Sequence, residues 1–293
     1  MPSWEGKSKG TKLGYSIFIG ILKRFGVFPA YLLLLSVAMY YLFFSIQSTK
    51  NSYSFFQKRM KFSKIKSVIQ CYMNYLYFGQ SMIDKMALML GFENSFTFEF
   101  NGEENLRMMI KNKKGGILLS GHIGNWDAAG FLLQRLDTRI NIVIFDGEHR
   151  QIKDYLEKVS GPRKMNIIVI KNNLSHVYEI NEALNNNELV CMHADRFLDG
   201  NRTRKMNFFG AEARFPEGPF LLATTFKVPV SFVFAVKKGR THYQLSSTKL
   251  KTYQEGSRQE NIQVMMQDFV TVFEEKVNKS PNQWFNYYNF WKA

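Results

Sequence analysis

Residues 118–136 read LLSGHIGNWDAAGFLLQRL. An apolar run ends in Ser-Gly-His, and a helical pattern begins a few residues later. The run suits a buried strand, being short, apolar and closed by glycine. Asn125 is a good helix N-cap, because its side chain can accept from a first-turn N–H. Asp127 then falls in the first helical turn, where a carboxylate complements the macrodipole. Gly121 and Gly124 let the chain bend tightly between the two elements. The stretch is a strand-to-helix joint, and it carries His122 and Asp127 five positions apart.

The same joint recurs along the chain. GGILLS (115–120), INIVIF (140–145), NIIVI (166–170) and ELVCM (188–192) are short apolar runs of the kind that form buried strands. Helical stretches are expected at 125–136, about 150–158 and about 174–186. In the last, Leu174, Val177, Ile180, Ala183 and Leu184 share one face. VPVSFVFAV (228–236) and THYQLSS (241–247) suit a hairpin. Ser257 and Glu260 form a capping box for a final helix whose Ile262, Met266, Phe269, Val270, Phe273 and Val277 make an apolar stripe. Residues 51–95 read as helices. The fold class that follows is α/β: a mixed, partly parallel sheet flanked by helices, preceded by an N-terminal helical membrane-associating segment. The expected division is 1–60 for that segment and 61–293 for the α/β domain. Within the latter, 61–114 is a helical lead-in, 115–256 the catalytic sheet and helices, and 257–293 the C-terminal helix and aromatic tail.

Charge is unevenly placed. Residues 1–66 hold eleven Lys/Arg and one acid, Glu5, so they carry +10 of the chain's net +15. Between Arg24 and Lys50 lie 25 uncharged residues, FGVFPAYLLLLSVAMYYLFFSIQST. At ~1.5 Å per residue a helix of that length can cross a hydrocarbon core. It can equally lie in the interface, be a buried helix or be a signal peptide, though no small-residue cleavage site follows it. Basic flanks on both sides suit an anionic membrane surface and leave orientation open. Nucleic acid is not expected as a partner, since no binding motif accompanies the charge. Cys71 and Cys191 stand alone, without a CxxC, and read as buried thiols in a reducing compartment.

The chemistry lies in the His-to-Asp spacing. A turn can fold the His122 imidazole over the first helical turn, so that Asp127 accepts from one ring nitrogen and the other acts as a base. No protein nucleophile is needed if the substrate supplies a hydroxyl that attacks an activated acyl carbonyl. Backbone N–H groups at the turn and helix start would hold the oxyanion. The plainer alternative is a lone His followed by an ordinary first-turn Asp. A dinucleotide fingerprint is absent, and His193 and Asp195 sit on a separate run that does not suggest a metal site. His149, His176, His193 and His242 read as structural, and Trp284 and Trp291 as packing or interface anchors.

GHIGNWD resembles the H-x-x-x-x-D/E block of the glycerolipid acyltransferase superfamily, in the form used by lipid A late acyltransferases, the lauroyl/myristoyl transferases. HADRF (193–197), FFGAEARFPEGP (208–219), KVPVSFVF (227–234), LGYSIF near the start and PNQWFNYYNFW (281–291) resemble that branch's other blocks in order. FPEG departs from the wider superfamily's phosphate-binding block, which continues Thr-Arg; here Pro219 and Phe220 follow, so glycerol 3-phosphate is a doubtful acceptor. The resemblance implies fatty acyl transfer to a hydroxyl of a lipid A precursor, without metal or cofactor, at the cytoplasmic face of the bacterial inner membrane. The implied donor is acyl carrier protein, or acyl-CoA. It implies His122 as base, Asp127 as its partner, and Asn125, Arg196, Glu217 and Gly218 on the substrate side. Other acceptors stay open: a lysophospholipid, an aminoacyl lipid or a polyene pigment. So does a non-catalytic lipid-binding protein of the same fold.

Overall fold

A computed structural model describes residues 12–133, 135–145, 165–171, 173–198 and 200–291. The helix expected near 150–158, and His149, lie outside them. Two helices open the chain, α1 (Lys12–Phe25) and α2 (Val27–Phe44), followed by α3 (Ile46–Ser54), a π-turn (Phe55–Arg59) and α4 (Lys64–Met89). Ser63 caps α4 by accepting from Lys66 N–H. The sheet strands are β1 (Thr97–Asn101), β2 (Gly116–Ser120), β3 (Ile140–Phe145), β4 (Met165–Ile170), β5 (Leu189–His193), β8 (Val230–Lys237) and β9 (His242–Ser247). Between them lie α5 (Glu103–Lys111), α6 (Trp126–Leu133), α7 (Ser175–Asn185) and α8 (Gly218–Phe226), and α9 (Arg258–Lys279) closes the domain. The sheet order is β1-β9-β8-β2-β5-β3-β4. All neighbours are parallel except β8 and β9, so the expected mixed, partly parallel sheet is what forms. The predicted hairpin at 228–247 and the Ser257/Glu260 capping box are both present.

Two elements differ from the sequence reading. β1 is an edge strand whose alternating pattern, TFEFN, is too short to stand out from the helices before it. Residues 203–216 form a second, antiparallel hairpin, β6 (Thr203–Phe208) with β7 (Ala211–Pro216), to which the sequence reading assigned no strands. Its turn, Phe209-Gly210, is held by the Glu274 carboxylate of α9, which accepts from Phe209 N–H at 2.6 Å.

Alternate residues of the central strands feed two cores. Ile117, Leu119, Val190, Met192, Phe232 and Phe234 pack on Ile262, Phe269 and Phe273 of α9. Leu118, Leu189 and Ala235 pack on Leu106 and Met109 of α5 and Leu133 of α6. A third core joins α1, α2 and α4 to the sheet. Val27, Ala30, Tyr31, Leu34 and Ala38 of α2 are buried at helical spacing, and the core that the first four share includes Ala128 of α6 and Tyr243 of β9. A Cβ at Gly79 of α4 would lie 2.3 Å from Leu34 Cδ1, so glycine is what lets α2 and α4 approach. The opposite face of α2 exposes Phe28, Leu32, Leu35, Met39, Tyr40, Phe43 and Phe44. α2 is long and apolar enough to cross a membrane by length and composition, yet here it lies docked along the domain with one face on α4.

A buried ion pair fixes that docking. Lys237 Nζ at the end of β8 lies 2.6 Å from Asp84 Oδ2 of α4, and both side chains are almost wholly buried. The hydroxyls of Tyr31 and Tyr243 donate to the same carboxylate, and Lys237 Nζ donates to Tyr31 Oη at 2.7 Å. A paired buried charge is tolerated; an orphaned one is not. Lys237→Met alone should therefore cost roughly 3–5 kcal/mol. Adding Asp84→Asn should recover part of it, read as the shift in urea midpoint of the single and double variants.

Candidate active site

β2 ends at Ser120, opposite His193 of the neighbouring parallel strand β5. Both strand ends therefore deliver their following residues to one edge of the sheet, where α/β folds place ligands. His122 comes from the first and Asp195 from the second. Asp195 is fully buried and holds His122 twice: Oδ2 accepts from the backbone N–H at 3.0 Å, and Oδ1 lies 2.6 Å from Nδ1. Trp284 Nε1 reaches Oδ2 at 3.5 Å. The expectation that Asp127 accepts from His122 is corrected here. Asp127 stays on the side of α6 that faces α4, where Lys85 Nζ lies 3.0 Å away. The reason is geometric: the turn is closed by Asp195, which draws Nδ1 toward β5 rather than toward the first turn of α6.

The turn itself is strapped from three sides. Gly124 N–H donates to Gln283 O, Asn125 N–H to Ala235 O of β8, and Phe285 N–H to His122 O. Gln283 in turn clamps Lys237, accepting from its N–H and donating to its carbonyl, both at 2.8 Å. Asn74 of α4 donates to the carbonyls of Asn282 and Trp284. Gly124 has φ +69°, and a Cβ there would lie 1.9 Å from Ala235 O, so glycine is required. The turn N–H groups were expected to hold an oxyanion. Those of residues 122–125 are instead taken by protein acceptors.

The other expected site residues fall in different places. Asn125 is the N-cap of α6: its Oδ1 accepts from Ala128 N–H at 3.1 Å. Its amide donates inward to Tyr243 Oη and Ser81 O, and only 2% of the residue is exposed. Its polar groups serve the protein, which corrects the substrate-side expectation. Arg196 does reach the site, donating to Phe285 O. Glu217 and Gly218 stand at the start of α8. Glu217 pairs with Arg204 Nε at 2.8 Å, and Arg204 also donates to Gln259 and Gln263 of α9, so this carboxylate ties the β6–β7 hairpin to α9. None of its polar contacts among the described residues reaches the His122 cluster. Three residues that the sequence left aside do: Asp195, Trp126 and His193. The His193 ring centre is 4.2 Å from that of His122, and Trp126 packs edge-on to both. Asp195 and His193 carried one readable signal, an i, i+2 pair at a strand end, but strand order alone makes them neighbours of His122.

Burial lowers the His122 pKa, the nearby Arg196 guanidinium lowers it further, and Asp195 raises it in part. The net direction is down, so the imidazole is neutral at pH 7. Burial opposes ionisation of Asp195, but His122, Arg196 and His193 outweigh it and hold the carboxyl well below its usual range. With Asp195 ionised, Nδ1 carries the proton and Nε2 the lone pair, the tautomer a base requires. Burial pushes both Cys71 and Cys191 up to about 12, so neither thiol is a nucleophile at neutral pH. The ring titration of His122, followed by NMR on histidine-labelled protein, should have its midpoint below 6.5. Asp195→Asn should lower it further, because the group that favours the imidazolium is gone.

Among curated proteins none matches the chain. Among solved structures, it is similar to the 1-acyl-sn-glycerophosphate acyltransferase of Thermotoga maritima, at 14% identity and a TM-score of 0.41, covering 85% of this chain and 96% of that one. The family model described as bacterial lipid A biosynthesis acyltransferase matches residues 72–293, from within α4 through the dyad and the C-terminal strap. The match takes in both His122 and Asp195 and three quarters of the sequence; the chain belongs to the bacterial lipid A biosynthesis acyltransferase family, and it is an acyltransferase.

Proposed function

We propose that the chain transfers a fatty acyl group from a thioester, acyl carrier protein being the donor, to a hydroxyl of a lipid A precursor. The observation that carries this reading is His122, whose Nδ1 lies 2.6 Å from the fully buried Asp195 carboxylate at the C-terminal edge of the sheet. In the reaction His122 takes the proton of the acceptor hydroxyl as its oxygen attacks the thioester carbonyl. Asp195 stabilises the imidazolium that results and fixes the ring. Collapse of the tetrahedral intermediate breaks the C–S bond, and the imidazolium returns the proton to the departing thiolate. Asp127, paired with Lys85 at the mouth of α6, contributes charge beside the site rather than orientation of the ring.

The reaction belongs at the cytoplasmic face of the inner membrane, where both a soluble acyl carrier and a membrane lipid are within reach. Support comes from the family, which is membrane-associated. It comes also from the apolar outer face of α2 and from the basic stretch that follows it in sequence, Lys58, Arg59, Lys61, Lys64 and Lys66. A lipid surface suits that combination, with apolar burial and anionic headgroups acting together.

His122→Ala should lower kcat by roughly 10²–10⁴ without unfolding the protein. The two carboxylates are separated by pH profiles: Asp195→Asn should move the acid limb of kcat/KM to lower pH, whereas Asp127→Asn should leave that limb in place. A limb that moves only with Asp127→Asn would reverse the assignment. The acceptor is read by mass spectrometry of membrane lipids with and without the gene. Loss of one acyl group from lipid A supports the reading, and loss from another lipid class replaces the acceptor.

A further inference from the structure

We propose that His193 is a second catalytic residue, whose ring N–H holds the oxyanion formed when the acceptor hydroxyl attacks the thioester. The inference rests on the acyl-transfer reading above. His193 ends β5 and is partly exposed beside His122, with ring centres 4.2 Å apart. Trp126 packs edge-on against it at 5.1 Å. Among the described residues neither ring nitrogen of His193 has a hydrogen-bond partner, in contrast to every other histidine described: His122 bonds Asp195, His176 accepts from Lys171 N–H, and His242 bonds Thr97. A polar group half-withdrawn from water and left unpaired carries a desolvation cost, which a bound substrate atom offsets.

The need for such a donor is independent of His193 itself. A tetrahedral intermediate puts a full negative charge on the former carbonyl oxygen, and preorganised donors there are usually a large part of catalysis. The backbone N–H groups of residues 122–125 are already bonded to Asp195, Gly121, Gln283 and Ala235. Arg196 spends a guanidinium N–H on Phe285 O. His193 is a side-chain donor next to the base whose ring N–H no described protein group accepts.

Its protonation state fits the role. Burial first, and then the neighbouring His122 ring, which cannot share a second proton with it, and the Arg196 guanidinium keep His193 well below the ordinary imidazole pKa, with Asp195 opposing in part. It is therefore a neutral imidazole with one N–H. When His122 takes the hydroxyl proton, its new positive charge makes protonation of His193 less favourable still. The two rings thus divide the work: His122 moves the proton, and His193 donates a hydrogen bond without exchanging one. The balance of the step is simple. The attacking oxygen loses its proton to His122 and forms the C–O bond; the carbonyl pair moves onto oxygen, held by His193. The pair returns as C–S breaks, and the thiolate takes the proton from His122.

Three variants test this in one assay, ester formation from fatty acyl–acyl carrier protein and a lipid A precursor in detergent micelles. His193→Phe keeps ring packing against His122 and Trp126 but has no donor. It should lower kcat about 10²–10³-fold, the usual span for losing one oxyanion donor. KM for the acyl carrier and the thermal midpoint should stay near those of the wild type. His193→Gln and His193→Asn place an amide N–H near the positions of Nε2 and Nδ1, and one of them should recover at least about tenfold over His193→Phe. A His193→Phe enzyme within about threefold of wild type overturns the proposal and moves the donor to the first turn of α6. So does failure of both amides to recover activity in folded protein. If the wild type itself forms no ester while remaining folded, the acyl-transfer reading fails, and this assignment falls with it.

Discussion

A carboxylate with no exposure to water must be held by donors or lose its charge, and Asp195 meets that condition with His122. One oxygen binds the backbone of the turn and the other binds the ring. Position and protonation of the imidazole are therefore set by the same group. Because β2 and β5 are parallel and in register at Ser120 and His193, a slip of either strand would pull Asp195 out of reach. The sheet register is in this sense the first requirement of the site.

The second layer of support is polar and buried. Asp84 and Lys237 contribute less to net stability than their distance suggests, since desolvation of two charges offsets much of the attraction. What they do is add a polar lock between elements that the third core already packs together. Through Tyr31 the pair holds α2, through Tyr243 it holds β9, and Tyr243 accepts from Asn125, the cap of the helix that follows the active turn. Gln283 extends the arrangement to the C-terminal strap. The apolar helix α2 and the His122 turn are thus parts of one hydrogen-bonded set.

α2 shows why composition alone leaves a helix ambiguous. Its sequence is apolar all round, so no polar face marks the side that meets the domain. The inner side is distinguished by Leu34, which meets Gly79 of α4, and by the Tyr31 hydroxyl, which donates to Asp84. The outer side keeps the large aromatic and aliphatic groups.

The strand-to-helix joint at 118–136, the buried strands, the capping box at Ser257 and the cap at Asn125 were legible in the sequence, because each depends on neighbours within a few positions. His122 was legible for the same reason: the glycines around it announce a tight turn. Its partner was not. Asp127 is near in sequence, and Asp195 is 73 residues away; only the pairing of β2 with β5 makes the distant acid the closer one. Glu217 likewise looked like a substrate ligand until the β6–β7 hairpin set Arg204 against it. His193 looked structural until that same strand pairing placed it beside His122. Local propensity, capping and turn chemistry act over a few residues and were determined by the sequence itself. Which acid holds the His122 imidazole, and which side chains surround it, was decided by the tertiary structure, because strand order and register bring together groups that no spacing along the chain can pair.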